Sequence, residues 1–186
     1  MNDPAVDMKA AERTIRRANL VAMAALAVAL PAGWFLLPAL FEFPRALAER
    51  LAFAAVCSAV VFACVLVAIL MVSTGRRFSP QDIRGSAHGP PSRVLAVRAA
   101  FLQNTLEQAV IAAGMYFALA ALAGGAWLSL IVVAVAFFVV GRVLFFRGYT
   151  RGPVGRAQGM TLTMLPTVAG YLLVFVLMAI RAFTAG

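Results

Sequence analysis

The sequence has little charge and almost no cysteine or histidine. Charged residues make up 12% of its 186 residues, against roughly 25% in an average soluble domain. Hydrophobic residues make up 63%. This balance excludes an ordinary soluble domain and indicates an integral membrane protein. Because each membrane span takes about 20 residues, the length suits one helical bundle and leaves no room for a separate soluble domain.

The two cysteines and the single histidine exclude the common cysteine and metal sites. Cys57 and Cys64 stand two turns apart in one apolar run, which is too far for a disulfide within a straight helix, since bridged Cα atoms lie within about 7 Å. No second pair of ligands accompanies them, so we expect no metal and interpret both as small buried residues. His88 stands alone in a connection, where we interpret it as a solvated side chain.

The net charge is +9, and the basic residues fall in short segments between apolar runs. This placement is typical of residues that set membrane orientation. We therefore expect no nucleic-acid partner. Thirteen of the 16 lie in or near the N-terminus, the 73–92 connection and the 142–156 region, and the other three are Arg45, Arg50 and Arg181. The positive-inside rule then predicts a cytoplasmic N-terminus and a periplasmic C-terminus in a bacterial-type inner membrane.

The apolar runs predict an all-α protein with five membrane-spanning helices. Residues 1–19 are polar and are interpreted as a cytoplasmic helix on the membrane surface. The first span, 20–41, is expected to be retained, because no small-residue cleavage signal follows it. The remaining spans are predicted at 51–72, 93–122, 127–146 and 159–180. Pro31, Pro38 and Pro166 predict kinks in the first and last spans.

The third predicted helix carries polar side chains inside an apolar stretch. Asn104, Glu107 and Gln108 share one face by helical spacing, with Gln103 on its flank. Unpaired polar groups in hydrocarbon are costly, so such residues usually face the bundle interior or a wet cavity. Counting residues from the helix ends puts Glu107 and Arg142 at one depth, which predicts an ion pair between them.

Polar residues farther along the chain extend this predicted site. Arg142 and Tyr149 are seven residues apart and share a face if the fourth helix continues past the membrane edge. Arg156 is expected just before the fifth helix, where free backbone N–H groups favour an anion. The set suits a small zwitterionic ligand with carboxylates. The alternative is that Glu107 and Arg142 form only an interhelical lock, with Asn104 and Gln108 hydrogen-bonding across helices.

Two motifs together resemble a known membrane family. Residues 103–108 (QNTLEQ) are followed about 35 residues later by Gly-Arg-Val at 141–143, then by Tyr149, a Gly-Pro turn and Arg156. This pattern resembles bacterial-type members of the MAPEG family, the membrane-associated proteins of eicosanoid and glutathione metabolism. Residues 78–82 (FSPQD) look like that family's cytoplasmic loop. The resemblance covers residues 51–182, so the predicted fold is a MAPEG-like four-helix bundle plus one extra N-terminal transmembrane helix.

The resemblance implies a homotrimer that binds glutathione as a co-substrate between protomers near the cytoplasmic face. Arg156 corresponds to the arginine that stabilises the glutathione thiolate. The implied glutathione-binding residues are Gln103, Asn104, Glu107, Arg142 and Tyr149. Three positions depart from some members, with Phe145 in place of a histidine, Gln103 in place of an arginine and Ala157 in place of a serine.

The predicted function is therefore a glutathione-dependent transferase or peroxidase acting on lipophilic electrophiles at the cytoplasmic membrane interface. The alternative is a non-catalytic lipid-binding or scaffold protein of the same fold, since such family members also exist. A small transporter is disfavoured, because the sequence has no detectable internal repeat and no paired broken helices.

Overall fold

The computed structural model describes residues 7–184 as a bundle of five long α-helices, without a strand in that range. The helices are α1 (Met8–Leu40), α2 (Leu47–Arg77), α3 (Arg93–Leu122), α4 (Ser129–Tyr149) and α5 (Gly152–Thr184). Short 3-10 helices occupy Ser86–His88 and Gly125–Leu128. All five long helices are long and apolar enough to cross a membrane. The predicted all-α membrane architecture is thus confirmed.

The polar leader is part of the first spanning helix, so the prediction of a separate surface helix is wrong for residues 8–19. Helix α1 runs without a break from Met8, and Asp7 caps it by accepting hydrogen bonds from the backbone N–H groups of Lys9 (3.0 Å) and Ala10 (3.1 Å). No glycine or proline separates the leader from the apolar run, so nothing ends the helix there. Residues 1–6 lie outside the described range.

The bundle consists of two closely packed helix pairs, α2 with α3 and α4 with α5, and α1 lies against α5 and α4. The largest fully buried side chains, Tyr116, Phe138, Met115 and Leu119, come from α3 and α4. Cys57 is buried, as predicted, whereas Cys64 is only half-buried, and both thiols are free. His88 is exposed, also as predicted.

Glycines bring the backbones of α4 and α5 into direct contact. A Cβ atom added to Gly159 would overlap the backbone of Phe145 and lie 2.6 Å from the carbonyl oxygen of Gly141. Gly148 and Gly155 approach each other in the same way. Gly155 and Gly159 form the Gly-x-x-x-Gly spacing that lets membrane helices pack closely. This contact determines where side chains from the two helices meet.

The C-terminal end of α3 is capped by arginines from two other helices. Arg50 of α2 donates a hydrogen bond to the carbonyl of Ala121 (3.5 Å), and Arg181 of α5 donates one to the carbonyl of Leu122. These carbonyls lack helical partners and carry the negative end of the helix dipole. Two of the three basic residues at this end of the bundle therefore have a local structural role.

The connection between α2 and α3 is pinned by a buried carboxylate. Asp82 is 4% exposed and accepts hydrogen bonds from the hydroxyl (2.6 Å) and the backbone N–H (2.7 Å) of Ser92. These bonds hold the pKa of Asp82 below its usual value. Ser92 in turn caps α3 by accepting from the N–H of Leu95 (3.2 Å). The connection is thereby tied to the first turn of the helix that carries residues 103–108.

Candidate functional site

A cavity of about 380 Å³ lies between α1, α3, α4 and α5, at the end of the bundle where α4 joins α5. Its size falls within the range of small-molecule sites. Its walls include Ile15, Asn104, Phe145, Tyr149, Arg156 and Met160. Three of the residues predicted for the site, Asn104, Tyr149 and Arg156, therefore meet around one space.

Arg142 lies behind this cavity and is 2% exposed. Its Nε and Nη2 donate to the hydroxyl oxygen of Thr163 (3.1 and 2.8 Å), and its Nη1 donates to Oδ1 of Asn104 (2.6 Å). The guanidinium also lies over the rings of Phe145 (4.7 Å) and Phe138 (5.7 Å). Arg142 is thus held by neutral oxygens and aromatic faces, and it fixes the orientation of Asn104.

The predicted ion pair between Glu107 and Arg142 is absent among the described residues, so that prediction is wrong for the single chain. Glu107 is exposed and accepts a hydrogen bond from Nε2 of Gln103 (2.8 Å). Depth along the membrane does not determine direction around the helix. Glu107 is three residues from Asn104, which turns it about 60° away from the cavity. Gln103 and Glu107 therefore form a polar pair on the outer face of α3.

Asn104 presents a hydrogen-bond donor to the cavity. Its carbonyl oxygen is occupied by Arg142, which leaves the two N–H groups of its amide for another partner. No hydrogen bond from this nitrogen reaches any residue in the range 7–184. The side chain is half-buried and forms part of the cavity wall. The arrangement suits recognition of an acceptor atom on a ligand.

Arg156 and Tyr149 form the charged wall of the cavity. The Arg156 guanidinium lies over the Tyr149 ring, 4.9 Å from its centroid. Helix α4 continues to Tyr149, which is the condition for Arg142 and Tyr149 to share a face, but α5 already begins at Gly152. Arg156 therefore lies one turn inside the helix, and the predicted position before it is wrong. The free N–H groups at a helix start belong to its first four residues, so Arg156 contributes its guanidinium and not its backbone.

The aromatic residues next to this wall form a compact cluster beneath the cavity. Phe145 packs edge to face on Tyr149, with centroids 5.5 Å apart, and lies 6.2 Å from Phe101 of α3. Phe101 also contacts Phe146, at 4.9 Å. The cluster links α3 to α4 and supports the rotamer of Tyr149. The predicted neighbours Phe145 and Phe146 are thus positioned as packing residues.

The interhelical lock that was the alternative interpretation lacks its Glu107–Arg142 pair among the described residues, and of its cross-helix hydrogen bonds only that of Asn104 is present. Asn104 bonds across to Arg142 of α4, but Gln108 is 5% exposed and its Oε1 has no hydrogen-bond partner within the described chain. The hydroxyl of Tyr116, two turns along α3, is likewise unpaired there. Gln108 therefore does not connect helices in the predicted way.

Sequence reasoning missed four contributors, Thr163, Thr161, Met160 and Ile15. Thr163 holds Arg142, while the other three line the cavity. The two threonines had a detectable signal, because hydroxyl groups in an apolar membrane helix usually have a partner on another helix. Ile15 and Met160 had none, since an apolar residue in a helix is most often a packing residue.

Comparison with known proteins gives one match. A family model described as the MAPEG family matches residues 52–176, which lies within the predicted 51–182. The matched region contains α3 and α4 entirely, together with Arg156 and Thr163 of α5. Helix α1 precedes it. No curated protein and no solved structure matches the chain.

Proposed function

Because this integral membrane protein belongs to the MAPEG family, we propose that it is a glutathione-dependent transferase or peroxidase acting on lipophilic electrophiles. The observation that carries the proposal is the cavity in which Asn104, Tyr149 and Arg156 meet within the family-matched helices. A concave site with a few convergent polar groups is the usual form of a small-molecule site. Its position at one end of the bundle lets a water-soluble thiol and a membrane-dissolved electrophile meet.

The residues present suit glutathione, which has two carboxylates, one ammonium group and a thiol. The Asn104 amide supplies donors to a carboxylate or carbonyl oxygen of the ligand, and Arg156 supplies a positive charge for the thiolate. Arg142 acts by holding Asn104. Glu107 and Gln103, on the exposed face of α3, supply the partners for an ammonium and an amide from a second direction.

In a homotrimer, a neighbouring copy would bring its Glu107 and Gln103 to the site. The outward positions of α3 recur at spacings of four and three residues, the pattern of a helix–helix seam. They are Gln103, Glu107, Val110, Gly114, Phe117 and Ala121. A carboxylate facing hydrocarbon would be costly, so a neighbouring copy covering Glu107 explains why this polar pair lies on the outer face. We therefore place each complete site between two copies.

The chemistry would start from the glutathione thiol beside Arg156. A nearby cation favours the thiolate and lowers the thiol pKa, and the thiolate is the nucleophile. In the transferase reaction the sulfur forms a bond to the electrophilic carbon, a leaving group such as chloride departs with the bonding electrons, and the thiol proton passes to water. In the peroxidase reaction two glutathione thiols reduce a hydroperoxide to an alcohol and water and become a disulfide.

Binding is tested by thermal unfolding of the detergent-solubilised protein. A ligand that binds only the folded state stabilises it by about 2.7 kcal/mol at 100 times its Kd, which we expect to raise Tm by roughly 5 to 10 °C for a chain of this size. An equimolar mixture of free glutamate, cysteine and glycine is the control and should leave Tm unchanged. A flat response to glutathione up to millimolar concentration would contradict the proposal.

A second candidate function, lipid binding without catalysis, is favoured by an apolar groove on another face of the bundle. The groove has a volume of about 260 Å³ between α2, α3 and α4. Met71, Phe101 and Phe146 line it, together with Arg142 and Arg147. An acyl chain fits such a lining. A protein that binds lipid there and is not stabilised by glutathione would have this function.

We place the cavity on the cytoplasmic side, with the C-terminus in the periplasm, because 13 of 16 basic residues lie at the cavity end. A reporter enzyme that is active only in the periplasm should be active when fused after Gly186. The same reporter inserted after Ser86 should be inactive. Activity at the second position together with inactivity at the first would reverse the orientation and contradict access from the cytoplasm.

A further inference from the structure

Helix α1 lies outside the family-matched residues 52–176, yet it packs along the bundle through a stripe of mostly small residues. The inward positions include Ala11, Ile15, Ala22, Leu26 and Gly33, which recur on one face. Small residues let membrane helices approach closely, and a Cβ at Gly33 would overlap the Val133 side chain. The helix therefore has a defined position against α4 and α5.

The cavity end of α1 is held by a polar contact. Oδ1 of Asn19 accepts a hydrogen bond from the hydroxyl of Thr161 at 2.6 Å. Thr161 lines the cavity, and so does Ile15, one turn before Asn19. Because the contact lies between two apolar helices, breaking it would leave the Asn19 amide oxygen without this partner, while the Thr161 hydroxyl could still donate to the carbonyl of Ala157 (3.0 Å). It therefore fixes α1 at the position where Ile15 closes one side of the cavity.

The cavity is divided by polarity. Asn104, Tyr149 and Arg156 form its polar side, and Ile15 and Met160 contribute apolar surface from α1 and α5. We propose that α1 is a wall of the substrate site and that Ile15 limits the size of the apolar group that fits beside the glutathione sulfur. This inference rests on the proposed function. It implies that the protein prefers compact aromatic electrophiles to bulky ones.

Ile15 is suited to this role because a β-branched side chain has a restricted rotamer in a helix and yields little to a ligand. Ile15→Ala should open the wall and favour the bulkier substrate. We expect the ratio of kcat/KM for a chlorinated naphthalene over a chlorinated benzene to rise about 10-fold, as when pocket volume changes by a few methylenes. Leu20→Ala is the matched control, because Leu20 is on α1 and 64% exposed. An unchanged ratio in Ile15→Ala would contradict the size limit.

The wall is also tested without glutathione, by labelling a cysteine inside the cavity. Cys57→Ala and Cys64→Ala remove the native thiols, and Met160→Cys supplies the reporter. Ile15→Ala and Asn19→Leu should each speed modification of this cysteine by a bulky maleimide about 10-fold, since both open the wall, while Ile15→Trp should slow it. The corresponding Leu20 substitutions should have no effect.

The two experiments separate failure of the inference from failure of the proposed function. If the rate of cysteine labelling is unchanged in Ile15→Ala and Asn19→Leu, α1 is not a wall of the cavity, whether or not glutathione binds. If these substitutions change the labelling rate but glutathione does not raise Tm, α1 is a wall of the cavity and the protein is not a glutathione transferase. Size-exclusion profiles and Tm values of each variant ensure that only folded protein is compared. If Ile15→Trp does not fold, Ile15→Ala and Asn19→Leu still decide the question.

Discussion

Replacing Arg156 by leucine is expected to lower glutathione conjugation about 100-fold, as when one preorganised electrostatic group is removed from an active site. Arg156 is half-buried in the cavity wall and its guanidinium contacts the Tyr149 ring. Among the described residues it carries no hydrogen bond that holds the fold together. The substitution should therefore leave Tm and oligomeric state nearly unchanged and should weaken glutathione binding only modestly. The assay measures conjugation of a chlorinated aromatic.

The bound thiolate gives this prediction a second readout. Its ultraviolet absorbance should be present in the wild type and reduced in Arg156→Leu, because the nearby cation lowers the thiol pKa. Arg151→Leu is the matched control, since Arg151 is exposed and lies one turn earlier, and it should retain both signals. A wild type that binds glutathione but shows neither thiolate nor turnover would reject the transferase and leave a non-catalytic binding protein of the same fold.

Replacing Gly159 by alanine is expected to destabilise the protein by about 3 kcal/mol, at the upper end of the usual cost of overpacking. The added Cβ would meet the backbone of Phe145 and the carbonyl of Gly141, and backbone atoms cannot rotate away. Helices α4 and α5 would have to separate. The same separation would pull Thr163 from Arg142, which are joined by two hydrogen bonds. We therefore expect Tm to fall, and we expect the increase in Tm caused by glutathione to be lost.

Gly170→Ala is the matched control on the same helix. A Cβ there would meet the side chain of Met115, 2.5 Å from its sulfur. Methionine is flexible, and a small cavity of about 60 Å³ adjoins the contact. We expect a loss of less than about 1.5 kcal/mol, as for adaptable core changes. Equal destabilisation by the two substitutions in thermal or denaturant unfolding would show that backbone contact between α4 and α5 is not what Gly159 provides.

The expected effects of Arg156→Leu and Gly159→Ala depend on the same feature of the fold. The close contact of α4 and α5 places Thr163 against Arg142, and Arg142 in turn orients Asn104 on α3. Arg156 and Tyr149 face each other because the turn between the helices is short, with Gly152 in the left-handed region at φ 77°. A residue with a Cβ is strained in that conformation. The site is thus built on the contact of two helices and not on a flexible loop.

The sequence alone determined the membrane class, the five spans, the all-α fold and the family. These properties depend on local hydrophobicity over about 20 residues and on motifs whose spacing can be read directly. The sequence also indicated that residues 103–108, Arg142, Tyr149 and Arg156 belong to one end of the bundle, because depth in the membrane follows from counting along helices. The spacing of Cys57 and Cys64 also excluded a disulfide between them.

Only the tertiary structure decided which of those side chains meet. Counting gave Glu107 and Arg142 a common depth, but Glu107 points outward and Arg142 is held by Asn104 and Thr163. The start of α5 was misplaced because the glycines at 152 and 155 were interpreted as part of a connection. Gly152 instead forms the turn before the helix continues, and Gly155 permits close packing of α5 against α4. The position of Ile15 in the cavity wall depends on contacts between residues more than 100 positions apart. Rotation about a helix axis and packing between distant helices are set by the whole bundle, so no local pattern could have predicted them.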